Sequence, residues 1–254
     1  MSRIEKFDAL TVHVDDIDQM ARDAAVDAAE ALRAAIAARG EANVMLATGN
    51  SQLAFLVELV EMPDIAWDRV RAFHMDEYVG LAPTHSASFQ RYMRERVAAR
   101  LPVMEFNYLN GNTADPDAEA TRYESLLRAH PLDLCCAGIG ENGHLAFNDP
   151  PVADFDDPRD VKIVELEPES RKQQVGEGHF ATIDDVPTHA ITVTIPALLR
   201  ARRLLVIVPE ARKANAVRAA LYGPVATACP ASILRRQAHA TLYLDPESSA
   251  LLAS

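Results

Sequence analysis

Cysteine, aromatic residues and positive charge are all scarce in this chain. Its 254 residues include three cysteines, one tryptophan and 6% aromatics. Cys135 and Cys136 are adjacent and cannot act as an ordinary disulfide staple, while Cys229 stands alone. No C-x-x-C or similar zinc spacing occurs, so the cysteines read as reduced thiols rather than as a disulfide or metal framework. With 25 Lys and Arg against 37 Asp and Glu, the formal net charge is −12. Sequence-independent nucleic-acid binding needs a basic footprint that such a chain lacks. A small anion is a different matter, because a few convergent cations and backbone N–H groups suffice to hold it. No stretch approaches the length of a membrane span, and "MSRIEKFDALTVHVDD" carries no apolar run with a small-residue cleavage site. The expectation is a cytoplasmic protein with neither membrane nor nucleic acid as a partner. Repeats, low-complexity tracts and linker-like breaks in composition are also missing, which predicts one domain over 1–254.

What is present is an alternation. Short branched apolar runs at 42–48, 70–75, 132–138, 190–195, 203–208 and 240–245 read as strands, most of them apolar on both faces. Between them, "DDIDQMARDAAVDAAEALRAAIAARG" reads as a long helix with an Asp cap and a terminal Gly40. Further helices are expected over 51–61, 86–99, 117–129 and 210–221. The pattern predicts an α/β three-layer sandwich with a mostly parallel, Rossmann-like central sheet. Residues 149–187, rich in Asp, Glu and Pro with one clear strand at "VKIVEL", interrupt the alternation. They are expected to form a lid-like excursion over a site, the plainer alternative being a solvated insertion.

The stretch "AGIGENGHLAFNDPP" (137–151) spells G-x-G-x-x-G through Gly138, Gly140 and Gly143. A dinucleotide site would require a helix directly after Gly143, so that its N-terminus could meet the pyrophosphate. Pro150 and Pro151 leave room for one turn at most, and the dinucleotide reading fails there. What the loop does hold is Glu141, Asn142, His144 and Asp149, beyond the carboxyl end of a strand. A carboxylate beside an imidazole favours imidazolium and fixes its tautomer, which suits acid–base work; the plainer role is a histidine capping a loop carbonyl.

Three other stretches follow strands in the same way. "LATGNSQLAF" places Thr48, Gly49, Asn50 and Ser51 at a turn opening a helix, which offers N–H groups and hydroxyls to a phosphate. "FHMDEYVGL" puts Asp76 and Glu77 after a strand; either is a candidate base, or a helix cap. "VIVPEARKANAV" sets Lys213 in the first turn of a helix, where a cation opposes the helix dipole and so hints at an anionic ligand.

Taken in order, "LATGNS", "FHMDEYVGL", "YLNGNTADPDAEATRYE", "GIGENGHLAFNDP" and "ARKANAVRAALYGPV" resemble the glucosamine-6-phosphate deaminase family. The similarity runs from about residue 10 to about residue 245. It implies conversion of glucosamine 6-phosphate to fructose 6-phosphate and ammonia, with no metal or organic cofactor and a phosphorylated amino sugar as the partner molecule. By position in the motifs, Asp76 would be the base and His144 would open the pyranose ring, with Glu141, Asn142 and Asp149 assisting. Thr48, Gly49, Asn50, Ser51 and Lys213 would hold the phosphate. Many members carry Asp at the position of Asn142 and Glu at that of Asp149, which is one methylene shorter here, roughly 1.5 Å. The family's phosphate-clamping lid arginine falls near Gly176, leaving Arg171 or Lys172 to replace it. The serines of the family's regulatory site are replaced by "PVADF", so allosteric activation is not expected. Related 6-phosphogluconolactonases share the G-x-x-G-H loop, so lactone hydrolysis is the alternative activity, and a non-catalytic sugar-phosphate sensor a third. The family includes monomers and hexamers, so a homo-oligomer stays open.

Overall fold

The computed structural model describes residues 3–253. In chain order its elements are β1 (Arg3–Phe7), β2 (Leu10–Val14), α1 (Ile17–Arg39), β3 (Ala42–Leu46), α2 (Leu53–Glu61), β4 (Val70–His74), β5 (Asp76–Tyr78), α3 (Phe89–Met93) and β6 (Glu105–Asn107). There follow α4 (Pro116–Ala129), β7 (Leu134–Ala137), β8 (Val161–Glu165), α5 (Pro168–Gly176), β9 (His189–Val193), α6 (Ile195–Leu199), β10 (Arg203–Val208), α7 (Ala214–Tyr222) and β11 (Ala240–Leu244).

Local chemistry sets the helix ends. The Asp16 carboxylate accepts from the Gln19 N–H at the start of α1, and Gly40, at φ 82°, closes its end by donating to the Ile36 carbonyl. The buried stripe Ala21, Ala24, Ala25, Ala28 and Ala29 lets α1 lie close on the sheet. Asp115 caps α4 in the same manner, with Pro116 in its first turn. No described helix is long and apolar enough to cross a membrane.

Eight strands form one sheet in the order β1-β2-β11-β10-β7-β3-β4-β6, parallel except for the β1–β2 hairpin. Each strand alternates its side chains between two cores. In β7, Leu134 and Cys136 join the core beneath α1 and α2, while Cys135 and Ala137 join the opposite one. The adjacent cysteines are thus held on opposite faces of one strand. From β3 the chain proceeds to β4 on one side; from β7 it proceeds to β10 on the other. The neighbours β3 and β7 therefore bracket the switch point of the sheet, where an α/β fold opens a crevice beyond the strands' carboxyl ends.

Three expectations change. The run at 190–195 is β9 and lies outside the main sheet; it is the middle strand of a small antiparallel sheet, β5-β9-β8. Its apolar character comes from burial between that small sheet's own core and the main one. The stretch 149–187 contains α5 as well as β8. Finally, the N-terminal residues form the β1–β2 hairpin edge, whose half-buried, charge-interrupted pattern gives no continuous apolar run.

Candidate active site

A cleft lies at the switch point, beyond β3, β4, β7 and β10. The loop after β3 contributes Thr48, Gly49 and Ser51, and the β4–β5 junction contributes Met75 and Asp76. The glycine loop after β7 adds Gly138, Gly140 and His144, and the turn before α7 adds Lys213. Gln173 and Gln174 of α5, together with Glu177 just beyond it, complete the lining.

Asp76 and Glu77 are neighbours in β5 and point to opposite surroundings. The Glu77 carboxylate accepts from Ser88 Oγ and from the N–H groups of Tyr78, Phe89 and Gln90, at 2.8–3.2 Å. It holds the first N–H groups of α3, whose cap residue is Ser88. Asp76 is equally buried and faces the cleft, yet none of the described hydrogen bonds ends on its carboxylate. Burial, with the Glu77 charge beside it, raises the Asp76 pKa well above the usual carboxylate value. Its backbone is fixed from below by His74: the ring Nδ1 lies 3.0 Å from the Asp76 carbonyl, while Nε2 accepts the Leu109 N–H at 2.9 Å. That pairing puts the imidazole proton on Nδ1, and burial keeps the ring neutral by lowering its pKa to about 3.

The glycine loop has an answer different from a pyrophosphate cradle. No helix follows Gly143. A Cβ at Gly140 would meet three atoms of the His144 ring at 2.2–2.4 Å, so this glycine exists to let the imidazole lie flat on the loop. His144 Nδ1 is 2.9 Å from Asp149 Oδ1 and 3.0 Å from Ser170 Oγ. Asp149 also accepts from Asn142 Nδ2 at 3.0 Å and from the Glu167 N–H at 3.1 Å, and makes a close contact with Ser170 Oγ. Burial alone would raise the Asp149 pKa; the hydrogen bond and charge of His144, with Ser170 and Asn142, override it and lower it to about 2. A proton on Nδ1 leaves Nε2, which enters none of the described hydrogen bonds, as an acceptor. Ala146, two residues on, sits at φ 48°, a left-handed conformation that stores strain beside the imidazole.

At the other side chains of the cleft, Gly49 adopts φ 100° and its carbonyl accepts from Tyr92 Oη at 3.0 Å. This fixes the turn Asn50–Gln52 before α2, with Thr48 and Ser51 facing the cleft. Lys213 is 3% exposed, and none of the described hydrogen bonds or ion pairs ends on its ammonium. Burial lowers its pKa, opposed chiefly by the charge of Glu177.

The sequence candidates thus divide. Asp76, His144, Thr48, Gly49, Ser51 and Lys213 converge on the cleft, with Asn142 and Asp149 directly behind His144. Asn50 turns its amide to the Glu177 carbonyl, 3.4 Å away. Glu141 does not reach the imidazole; its half-exposed carboxylate lies 3.8 Å from Arg212. Arg171 faces away from the cleft and donates to the carbonyls of Ile183 and Val186 at 2.6 and 2.9 Å. Lys172 is exposed, 3.7 Å from Glu169. Five residues escaped the sequence reading: His74, Ser170, Gln173, Gln174 and Glu177. The last four belong to α5 or its end, and a signal for that helix exists in Pro168 at its first turn and Gly178 just past its last. Among the described residues, no group of three or more His, Cys, Asp or Glu is arranged to hold a metal ion.

Fold and cleft define a Rossmann-like α/β protein with its ligand site at the switch point of the sheet. More narrowly, the chain belongs to the family of glucosamine-6-phosphate isomerases and 6-phosphogluconolactonases, whose model matches residues 15–243. It is 37% identical over 208 residues to a glucosamine-6-phosphate deaminase of Exiguobacterium sibiricum, covering 82% of this chain and 80% of that one. A glucosamine-6-phosphate deaminase of Bacillus thuringiensis (strain Al Hakam) is likewise 37% identical over 206 residues, with 81% and 76% covered. Among solved structures, a monomeric glucosamine-6-phosphate deaminase superposes with a TM-score of 0.86 at 28% identity, over 94% of this chain and 99% of that one. A 6-phosphogluconolactonase from Shewanella baltica OS155 gives 0.73 at 20% identity, over 92% and 96%, and shares the fold.

Proposed function

We propose that the cleft converts glucosamine 6-phosphate and water to fructose 6-phosphate and ammonia. The observation that carries this reading is the pairing, in one cleft, of a buried carboxylate, Asp76, and a buried ammonium, Lys213, on neither of which any of the described hydrogen bonds or ion pairs ends. The relatives named for this reaction support it. Lys213 and the backbone N–H groups of the turn at 48–51 receive the phosphate, a remote handle whose binding energy orients the reacting carbons. His144, with Asp149 and Ser170 holding Nδ1, exchanges a proton with the ring oxygen and opens the pyranose. Asp76 then takes the proton from C2 of the open-chain aldose and returns it to C1. The resulting ketimine at C2 adds water and releases ammonia, which balances the overall reaction. A base whose pKa is raised by burial suits the abstraction of a weakly acidic carbon proton. The stretch 149–187 acts as a lid over this chemistry, α5 supplying Ser170, Gln173 and Gln174 from above, within one domain over 1–254.

The test is a coupled assay of ammonia and fructose 6-phosphate from glucosamine 6-phosphate, with 6-phosphogluconolactone as a parallel substrate. Deamination by the wild-type protein, lost in Asp76→Asn, supports the reading. Lactone hydrolysis that survives Asp76→Asn, without ammonia release, overturns it.

A further inference from the structure

Two neighbouring glutamines of α5 line the cleft, and their amides differ in what they meet. Gln173 uses both ends of its amide: Oε1 accepts the Glu141 N–H at 3.0 Å, and Nε2 donates to Glu177 Oε1 at 2.8 Å. Gln174 is 6% exposed, yet none of the described hydrogen bonds ends on its side-chain amide. Nor is that amide among the unpartnered groups sealed inside the protein, so its opening is onto the cleft. A buried amide without partners costs stability until a ligand supplies them. The helix also crosses the cleft in a defined direction. Ser170, near its start, lies 3.0 Å from His144 Nδ1. Just past its other end, the Glu177 carbonyl accepts from Asn50 Nδ2 at 3.4 Å, in the turn after β3. Ser170 and Gln174 are the buried residues of α5. Four residues apart, they share one face of the helix, with Gln174 about 6 Å further along.

We infer that the Gln174 amide binds the C3 and C4 hydroxyls of the sugar and reads the configuration at C4, favouring the gluco over the galacto form. This rests on the placement of the sugar phosphate under the proposed function. There the phosphate lies at Lys213 and the turn at 48–51, His144 meets the ring oxygen, and Asp76 meets C1 and C2. The hydroxyls on C3 and C4 are then the ones left without a partner. They fall between the two ends of the cleft that α5 connects, which is where Gln174 stands. An amide offers an acceptor oxygen and two N–H donors, and each hydroxyl can both donate and accept. In the gluco ring these hydroxyls are equatorial neighbours, which one amide can span with its oxygen and nitrogen. In the galacto epimer the C4 hydroxyl turns axial and leaves one end of the amide unpaired. A site built to hydrogen-bond a hydroxyl discriminates against a ligand that lacks it there. Gln174 touches no reacting atom, so its role is recognition.

Calorimetric titration of the full chain tests this, in an Asp76→Asn background so that binding is read without turnover. The ligands are glucosamine 6-phosphate, galactosamine 6-phosphate and inorganic phosphate. The background protein is expected to bind the gluco sugar about tenfold tighter than its C4 epimer, the scale of one hydrogen bond in a buried site. Gln174→Met has nearly the same length but no amide. It should bring the two sugars to within about twofold of each other and leave inorganic phosphate unchanged. Gln174→Leu carries the same expectation, and melting curves establish that the variants are folded. A background protein that binds neither sugar, binds both alike or prefers the galacto form overturns the inference. So does a gluco preference that survives in the folded variants, or an equal loss of inorganic phosphate, which would signal general disturbance of the cleft. Ammonia release by the wild-type protein is read separately. The epimer pattern without ammonia release sustains this inference and sinks the proposed activity; ammonia release without the pattern does the reverse.

Discussion

Two buried aspartates flank the same cleft, and their surroundings push them in opposite directions. Asp149, behind the glycine loop, is met by His144, Ser170, Asn142 and the Glu167 N–H, and its pKa falls to about 2. Asp76, the first residue of β5, meets no donor among the described hydrogen bonds, and burial raises its pKa. Similar burial therefore does not make similar acids; the supply of donors decides. A carboxylate saturated with donors is a fixed charge that orients a neighbour. A carboxylate starved of them has a raised proton affinity and can take a proton from a ligand. Such diverging pairs mark acid–base assignments in active sites.

The comparison breaks first at Asp76. Asp76→Asn is expected to lower kcat for deamination by at least about a hundredfold, the span of a lost general base. The same variant should melt at a higher temperature than wild type near neutral pH. The sign follows from the raised pKa: Asp76 favours the folded state below the unfolded carboxylate value, and that contribution is lost as pH rises through the folded one. Asn removes the buried charge, so the gap in melting temperature should close on acidification. No gain at neutral pH would mean that Asp76 is better solvated than its burial suggests.

Asp149→Asn should act through His144, costing up to about a hundredfold in kcat, as expected when an orienting partner is lost. In stability its effect has the opposite sign to that of Asp76. A folded pKa of about 2 against 3.8 unfolded contributes about 2 kcal/mol above the unfolded value, lost as pH falls through the folded one. Denaturant titrations of wild type and variant from neutral pH down to this acidic window should therefore converge.

A smaller effect is expected at Gly140. The Cβ of Gly140→Ala would sit at 2.2 Å from the imidazole, so His144 must move. We expect about tenfold lower kcat with a stability loss of about 1–3 kcal/mol, typical of overpacking. Unaltered kinetics would show that the ring position is not critical. Smallest is Ser170→Ala, which leaves Asp149 and His144 paired but removes the link to α5. A loss of a few-fold in kcat/KM is expected from one neutral hydrogen bond, with the acidic limb of the pH–rate profile displaced. A few-fold loss without that displacement would make Ser170 only a packing residue.

Much of this was open to reading from residue patterns. The alternation of branched runs with amphipathic stretches predicted the sandwich, and the residues just beyond β3, β4, β7 and β10 were singled out because strands end there. The small antiparallel sheet escaped because β5 is three residues long and β9, buried on both faces, carries the same apolar signature as a parallel strand. Among the site residues, the local pattern left Asp76 and Glu77 equal and only the family resemblance singled out Asp76, since nothing local says which one meets Ser88 and the start of α3.

Periodicity and turn chemistry are properties of neighbours in the chain, and they determined the layers, the loop positions and the failure of the dinucleotide reading at Pro150 and Pro151. Partnership across the chain was decided by the tertiary structure alone. Ser170 reaches His144 from 26 residues away, Asn50 meets the Glu177 carbonyl across 127, and Lys213 is left without a direct partner among the described residues. Such pairings have no period. They arise where the packing of layers brings loops to one switch point, and burial there converts small differences in hydrogen bonding into large differences in charge state.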